Sequence, residues 1–93
     1  MEPDLIRRAQ AGDDDAYAIL VRQHEEVIFR LAYLMVGDAD DAADVAQEAF
    51  IRAHRNLKRF DAGRPLRPWL LHIAANLARN RRRSLGRYGA MLG

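Results

Sequence analysis

Apolar residues recur at spacings of three and four residues along almost the whole chain, and no segment alternates apolar with polar residues for any length. Spacings of three and four place side chains on one face of an α-helix, whereas a half-buried strand requires alternation. The sequence therefore predicts an all-α protein. With 93 residues and 49% hydrophobic composition, it has enough apolar side chains for one small core.

The pattern divides into three long helices, a short N-terminal helix and a loop before the last helix. The short helix is predicted over residues 4–11. The second helix begins at the aspartates of residues 13–15, which can cap a helix start and favour its dipole, and it ends at Gly37. The third begins among the next aspartates and runs to about Lys58. Residues 60–68 contain a glycine and two prolines and are predicted as a loop, and the last helix begins near Pro68.

Each long helix has one apolar face, which we expect to form the core. On the second helix this face comprises Ala16, Leu20, Val27, Leu31 and Leu34, with Ile28 and Met35 beside them. On the third helix it comprises Ala42, Ala46, Ala49, Phe50, Ala53 and Leu57. On the last helix it comprises Leu70, Ile73, Ala74 and Leu77.

The net charge of +2 conceals a strong division of charge along the chain. Residues 1–50 carry 12 acids and 4 bases, a net charge of −8, whereas residues 51–93 carry 11 bases and 1 acid, a net charge of +10. Such asymmetry indicates two partner surfaces of opposite character. Fourteen of the fifteen basic residues are arginine, which suits bidentate contacts with phosphates and base edges. A GC-rich genome, which favours arginine codons, is an alternative explanation of the arginine excess.

No metal-binding motif has the spacing that its chemistry requires. The "HEEVI" segment at His24 resembles the start of a zinc-protease helix, but Ile28 stands where the second histidine ligand belongs. The acidic segment from Asp38 has Ala43 and Ala49 where a calcium loop needs glycine and a bidentate glutamate. We expect each of the three histidines to be a surface or boundary residue rather than a ligand: His24, His54 and His72.

Enzymatic activity, a cofactor and a membrane span are not expected from this sequence. There is no glycine-rich phosphate loop, no cysteine, and only one serine, Ser84, which lies outside any nucleophile motif. The longest apolar run has six residues, far fewer than a membrane-spanning helix requires. The absence of cysteine fits a cytoplasmic protein.

An acidic face on the third helix is a candidate protein-binding surface. Its residues are spaced by 3, 4 and 7 from the first, opposite the alanine-rich face: Asp44, Gln47, Glu48 and Ile51. An acidic face with an apolar residue at its edge suits docking on a basic protein surface. An ordinary solvated helix face is the alternative, and the sequence alone leaves both open.

A basic face on the last helix is a candidate nucleic-acid surface. His72, Asn76, Arg79 and Arg83 share this face, and Asn80 lies at its edge. Asparagine and arginine can hydrogen-bond to base edges as well as to phosphates. Cations in the last turn of a helix are also favoured by the helix dipole, but this does not explain the loop arginines: Arg59, Arg64 and Arg67.

The aromatic residues Phe60 and Trp69 flank the predicted loop. Either ring could stack on an unpaired base, because such stacking requires no base complementarity. Packing of Trp69 beneath the loop, where it would fix the loop's shape, is the interpretation we favour.

Two segments together resemble the second conserved region of bacterial sigma factors of the extracytoplasmic-function (ECF) type. They are "ADVAQEAFIRAHRNLKRFD" and "RPWLLHIAANLARNRRR", and the sequence from residue 4 to residue 42 fits the first helices of that region. The resemblance covers about residues 4–84, and the order and spacing of the motifs make it strong. It implies a non-enzymatic domain that acts in transcription initiation in the cytoplasm.

The resemblance also implies roles for both candidate surfaces. In such sigma factors the "DVAQEAF" helix binds the clamp helices of the large subunit of core RNA polymerase, which here assigns Asp44, Gln47 and Glu48 to polymerase binding. The loop and last helix read the minus-ten promoter element as single-stranded non-template DNA. This role falls to the residues of the basic face and loop: Arg59, Arg64, Arg67, His72, Asn76, Arg79, Asn80 and Arg83. An anti-sigma factor that covers these surfaces would be a further partner.

Two features depart from the family pattern. Family members usually carry a second helical domain, so we expect residues 1–85 to form the domain and residues 86–93, which include three glycines, to be an irregular tail or the start of an interdomain linker. The loop is also more basic and richer in proline than expected.

The rival hypothesis is a small helical adaptor whose basic end pairs with an acidic partner. A membrane-surface helix is disfavoured because the apolar face of the last helix is needed for the core.

Overall fold

The computed structural model describes residues 1–92, and over these residues the chain forms four α-helices, one turn of 3-10 helix and no strand. The elements in order are α1 (Glu2–Gln10), α2 (Asp14–Val36), α3 (Ala39–Asn56), the 3-10 turn (Leu57–Arg59) and α4 (Leu66–Leu92). Helix α2 is central, because it packs against each of the other three helices. The predicted all-α bundle of one short and three long helices is confirmed.

The ends of α2 and the start of α3 lie where the sequence predicts them. The Asp13 side chain accepts a hydrogen bond from the backbone N–H of Ala16 at 3.1 Å, and the Asp38 side chain accepts one from the N–H of Asp41 at 2.9 Å. These contacts satisfy N–H groups that have no partner within the helix. Gly37 ends α2 with φ 75°. This left-handed conformation is higher in energy for a residue with a β-carbon than for glycine.

The buried face of α2 differs in part from the predicted one. Its buried residues follow each other at intervals of four: Ala16, Leu20, His24, Ile28 and Ala32. Residues four apart advance by about 40° around a helix, so this row winds around α2 and leaves Leu34 outside. Leu34 is 76% exposed, and its prediction as a core residue is wrong. Val27, Leu31 and Met35 are half-buried at the margin of the core.

His24 is only 6% exposed, so its prediction as a surface or boundary residue is also wrong. It occupies the middle of the buried row of α2, between Leu20 and Ile28. Burial of an imidazole is tolerated only when its nitrogens have hydrogen-bond partners. His24 has two such partners, from α1 and α4.

Small residues let α3 and α4 approach the rest of the bundle. On α3 and the turn after it, the buried side chains are Ala42, Val45, Ala49, Ala53 and Leu57. On α4 they are Leu66, Leu70, Ala74 and Ala78. The other predicted core residues are half-buried at the margin: Ala46, Phe50, Ile73 and Leu77. Alanine at the contacts removes side-chain bulk between the helix axes and so allows neighbouring helices to pack closely.

Helix α4 is longer at both ends than the sequence indicates. It begins at Leu66, so the irregular segment is shorter than predicted, and Arg67 and Pro68 belong to the first turn. It continues to Leu92, so residues 86–92 are helical where an irregular tail was expected. Extension of an existing helix fixes one residue at a time and is inexpensive, so glycines do not stop it. The division of the chain at residue 85 stays a prediction.

Gly37→Ala is expected to destabilise the protein by about 1–2 kcal/mol, because an L-residue is strained at positive φ. Gly86→Ala is the matched control: a β-carbon at either position would meet no atom within 4 Å, but Gly86 lies within α4. There alanine should be neutral or stabilise by up to about 1 kcal/mol. Urea unfolding followed by circular dichroism measures both changes. Equal effects of the two substitutions would contradict the assigned conformations.

Candidate nucleic-acid and protein interfaces

The predicted basic face of α4 exists as a continuous row of exposed side chains. Asn76 Nδ2 lies 3.3 Å from His72 Nε2, and Arg79 donates a hydrogen bond to Asn76 Oδ1. One turn further, Arg83 Nη2 donates to Asn80 Oδ1 at 3.4 Å. All five side chains are exposed, so these bonds compete with water and are easily exchanged for other partners. The row therefore presents amides and guanidinium groups whose hydrogen bonds can be exchanged for bonds to a ligand.

A concavity of about 770 Å³ lies between the end of α3 and the start of α4. Phe60 and Trp69 form an aromatic pair there, with ring centroids 4.7 Å apart and planes inclined by 36°. Both rings are half-buried. Trp69 thus packs beneath the loop, as favoured from the sequence, and also lines the concavity.

Arginines surround the aromatic pair, and two polar residues of this site were missed in the sequence. Arg59 and Arg64 line the concavity, as expected of the loop arginines. Arg52 and Asn56 line it from the last turns of α3. Asn56 Nδ2 donates to the carbonyl of Arg52 at 2.9 Å. The spacing of residues 52, 56 and 59 by four and three is helical and would have indicated that these side chains share a face.

Hydrogen bonds within the loop and from α1 hold the rim of the concavity. Asp61 Oδ1 accepts from the N–H of Gly63 at 2.9 Å, and the Asp61 carboxylate lies 3.7 Å from the Arg64 guanidinium. Gln10 Nε2 donates to the carbonyls of Leu57 and Phe60, both at 2.8 Å. These carbonyls follow α3, so the Gln10 side chain fixes the path by which the chain leaves that helix.

The predicted DNA-binding residue Arg67 lies on the other side of the start of α4. Its Nε donates to His24 Nδ1 at 3.2 Å, and its Nη2 donates to the carbonyl of Gln23 at 3.2 Å. The structure therefore does not bring this guanidinium together with those of Arg59 and Arg64. The cause is the early start of α4, which carries residue 67 from the loop onto the first helical turn.

The predicted acidic face of α3 is accessible. Asp44, Gln47 and Ile51 are exposed, and Glu48 is half-buried. Asp44 also lies 3.5 Å from Arg81 of α4. The main partner of Arg81 is Asp41, whose hydrogen-bonded carboxylate raises the pKa of the guanidinium further. Arg81 therefore points away from the basic row and joins α4 to α3.

An apolar groove of about 740 Å³ continues from the acidic face into the space between α2 and α3. Its apolar walls come from Tyr17, Val21, Phe29, Phe50 and Ile51, and Gln47 lies at its side. Phe29 and Ile51 are 37% and 39% exposed, so the apolar walls of the groove form a contiguous accessible patch, as is typical of interaction sites. Only the α3 side of the groove was predicted from the sequence; the signal for the other side was the spacing of Tyr17, Val21 and Phe29 by multiples of four on α2.

Within residues 1–92, no group of three or more histidine, cysteine, aspartate or glutamate side chains could hold a metal ion. Over the same residues, no helix is both long and apolar enough to cross a bilayer.

The model of the sigma-70 region 2 family matches residues 20–88, and the chain belongs to this family. Among its relatives are ECF RNA polymerase sigma factor SigW of Bacillus subtilis, 44% identical over 76 residues, and the RNA polymerase sigma-H factor of Pseudomonas aeruginosa, 41% identical over 86 residues. The matches cover 82% and 92% of this chain but 41% and 45% of the relatives. The chain therefore spans less than half the length of these relatives.

Two solved structures have a similar fold. An engineered region 2 of sigmaE in complex with GTAAAA superposes with a TM-score of 0.87 and 38% identity, covering 95% of this chain and 92% of that one. CnrH in complex with the cytosolic domain of CnrY gives a TM-score of 0.80 and 32% identity, covering 85% and 51%. The resemblance to region 2 of ECF sigma factors is confirmed, and this is a family of non-enzymatic transcription-factor domains.

Tyr17, in the apolar groove, is expected to ionise at a higher pH than an unperturbed tyrosine. Its hydroxyl donates to the carbonyl of Phe50 at 2.5 Å, and burial raises its pKa from 10.0 to about 12. The proton is thus held more tightly in the folded state than in the unfolded state. Stability should be unaffected by this group below pH 10 and should fall as the pH rises from 10 to about 12.

Ultraviolet titration of tyrosinate checks this expectation, because the chain has three tyrosines. The folded protein should show one late ionisation that Tyr17→Phe removes and that disappears in denaturant. The assigned burial would be contradicted if no ionisation near pH 12 distinguished the folded wild type from Tyr17→Phe.

Proposed function

We propose that this domain acts in transcription initiation by binding core RNA polymerase and recognising the minus-ten promoter element as single-stranded non-template DNA. The observation that carries the proposal is the concavity with Phe60 and Trp69 in its wall, surrounded by arginines and continuous in sequence with the polar row of α4. The family and the complex of the engineered sigmaE region 2 with GTAAAA support it. Both proposed partners are found in the cytoplasm, where we place the domain.

The concavity suits an unstacked base. Extrusion of a base from a duplex costs a few kcal/mol, and stacking on an aromatic side chain returns about 1–3 kcal/mol per base. Arg52, Arg59 and Arg64 at the rim provide cations for the phosphates beside that base. The side chain of Asn56 can both donate and accept hydrogen bonds at a base edge. Stacking supplies affinity, and the polar rim supplies selectivity.

The row on α4 extends this surface along the strand. Asn76 and Asn80 are the base readers we propose, because an amide pairs with base edges in both directions. Arg79 and Arg83 each hydrogen-bond to one of these asparagines, so they orient the amides and can contact phosphates at the same time. His72 closes the row at the end nearest the concavity. Arg67 is not assigned a direct DNA contact, because its guanidinium faces α2.

The acidic face of α3 and the groove beside it form the proposed polymerase surface. Asp44 and Glu48 provide charge complementary to a basic partner, and Gln47 and Ile51 connect these carboxylates to the apolar walls. A helical partner with basic and apolar side chains, such as the clamp helices of the large subunit, fits both parts. An anti-sigma factor that occupies the same groove would exclude polymerase, as the complex of the related CnrH with CnrY leads us to propose.

Fluorescence anisotropy with three DNAs tests the DNA-binding half of the proposal. We expect the strongest binding to single-stranded GTAAAA, weaker binding to a scrambled strand and the weakest to duplex, with all three weakened by salt. Asn76→Ala should lower the preference for GTAAAA by about fivefold or more, because one well-placed base contact contributes about 1–3 kcal/mol of discrimination.

Arg82→Ala is the control on the same helix, since Arg82 is exposed and outside the row. It should weaken binding to the three DNAs by equal factors. Equal wild-type affinity for the three DNAs would rule out sequence reading, and a lack of binding at low salt would favour the adaptor hypothesis.

Charge reversal on α3 tests the polymerase half. Glu48→Lys and Asp44→Lys should weaken binding to core polymerase at least tenfold. Removal of one partner from an interfacial charge pair reduces the binding free energy by about 2 kcal/mol or more. Asp15→Lys makes the same charge change at an exposed site on α2 and should have little effect. Circular dichroism must show unchanged helicity; a loss of helix would instead make these residues structural.

A further inference from the structure

A histidine at the centre of the bundle has no part in the proposed binding surfaces. His24 is 6% exposed, and it is the one buried polar or charged residue in the part of the chain that the structure describes. Its Nε2 lies 2.8 Å from the Glu2 carboxylate of α1, and its Nδ1 accepts a hydrogen bond from Arg67 Nε of α4 at 3.2 Å. Side chains from three helices therefore meet at this imidazole.

The partners of His24 define which ring nitrogen carries the proton. Arg67 is always a donor, so Nδ1 must be an unprotonated acceptor. The carboxylate of Glu2 is an acceptor, so Nε2 must carry the proton and donate it. A neutral imidazole in this tautomer lies between an anion and a cation, and both of its nitrogens are satisfied. Because one nitrogen must donate and the other must accept, the imidazole ring can make both hydrogen bonds in only one orientation.

The position of Arg67 explains why such a tie is needed. The first turn of α4 contains Arg67 and no acidic residue. A cation near a helix N-terminus is repelled by the helix dipole. The guanidinium is directed backwards onto α2, where Nη2 also donates to the carbonyl of Gln23 at 3.2 Å. The tie to His24 and Gln23 therefore fixes the first turn of α4 against α2.

The next two residues of that turn are part of the concavity. Pro68 and Trp69 line it, and Trp69 is paired with Phe60 across 4.7 Å. A shift of the first turn would move the indole relative to Phe60 and the rim arginines. We propose that His24 is a positioning residue for promoter recognition: through Arg67 it holds the start of α4, and with it the aromatic wall, in the geometry that accepts an unstacked base. This inference rests on the proposed function.

Anisotropy with single-stranded GTAAAA and a panel in which each nucleotide is changed in turn is the decisive measurement. His24→Leu should lower discrimination by about threefold to tenfold. The loss should be confined to the one or two nucleotides whose base occupies the concavity. His24→Gln should restore most of it, because the glutamine amide can donate to Glu2 and accept from Arg67. A merely structural role would lower all affinities together.

Arg67→Ala is the second variant, and it keeps the inference testable if His24→Leu fails to fold, because Arg67 is exposed. If Arg67 acts through His24, Arg67→Ala should lose discrimination at the same nucleotide positions as His24→Leu. The double variant should then lose no more discrimination than either single variant. A direct phosphate contact by Arg67 predicts an equal loss for all sequences and a smaller salt dependence. Arg30→Ala, which removes an exposed guanidinium of α2, is the matched control.

Emission of the single tryptophan reports the same geometry in the free protein. His24→Leu and Arg67→Ala should shift the Trp69 emission spectrum, and Arg30→Ala should not. The inference is overturned if the wild type prefers GTAAAA and both variants retain its full pattern of discrimination. The proposed function would remain intact in that case. A wild type without preference refutes the proposed function and with it the role of His24 in promoter recognition. The emission then decides whether His24 positions the first turn of α4, and an unchanged spectrum in both variants overturns that as well.

Discussion

The packing of α2 against all three other helices is the constraint on which the rest of the structure depends. Its buried row advances four residues at a time and winds around the helix, so α1, α3 and α4 can each cover part of it. The neighbouring helices can approach α2 closely because Ala16, Ala32 and the buried residues of α3 that are alanine have small side chains. Because the buried alanines bring the helices together around larger side chains such as Leu20, Ile28 and Leu70, the faces that point outward are held in fixed relative orientation.

That orientation separates the two charged surfaces. The acidic face lies on α3 and the basic row lies on α4, so the two partners that we propose, core polymerase and a nucleic acid strand, would not compete for the same side chains. Arg81 is the exception that connects them, since it leaves the basic run to pair with Asp41 and Asp44. Opposite charges from the two halves of the chain thus also join α4 to α3 within the molecule.

Most of the fold was predictable because its signals are local. The aspartate caps and the glycine stop of α2 act within one helical turn, and so they can be read from neighbouring residues. The error at His24 has a different origin. Its place in a four-residue row with Leu20 and Ile28 was visible, but an imidazole is buried only if its partners are present, and Glu2 and Arg67 lie 22 and 43 residues away along the chain. The candidate site divides in the same way: the row on α4 follows from helical spacing, whereas the contribution of Arg52 and Asn56 depends on how α3 and α4 meet.

Periodicity, capping residues and the division of charge thus settle the helical class, the order of the helices and the polar faces of α3 and α4, because each depends on residues close together in the chain. Three features are decided only by the tertiary structure: the concavity around Trp69, the apolar groove between α2 and α3, and the contact of Arg67 with the buried His24 instead of the predicted DNA surface. Each is formed by side chains from different helices. Their meeting depends on helix crossing and on where α4 begins, and neither is encoded by spacing within a single helix.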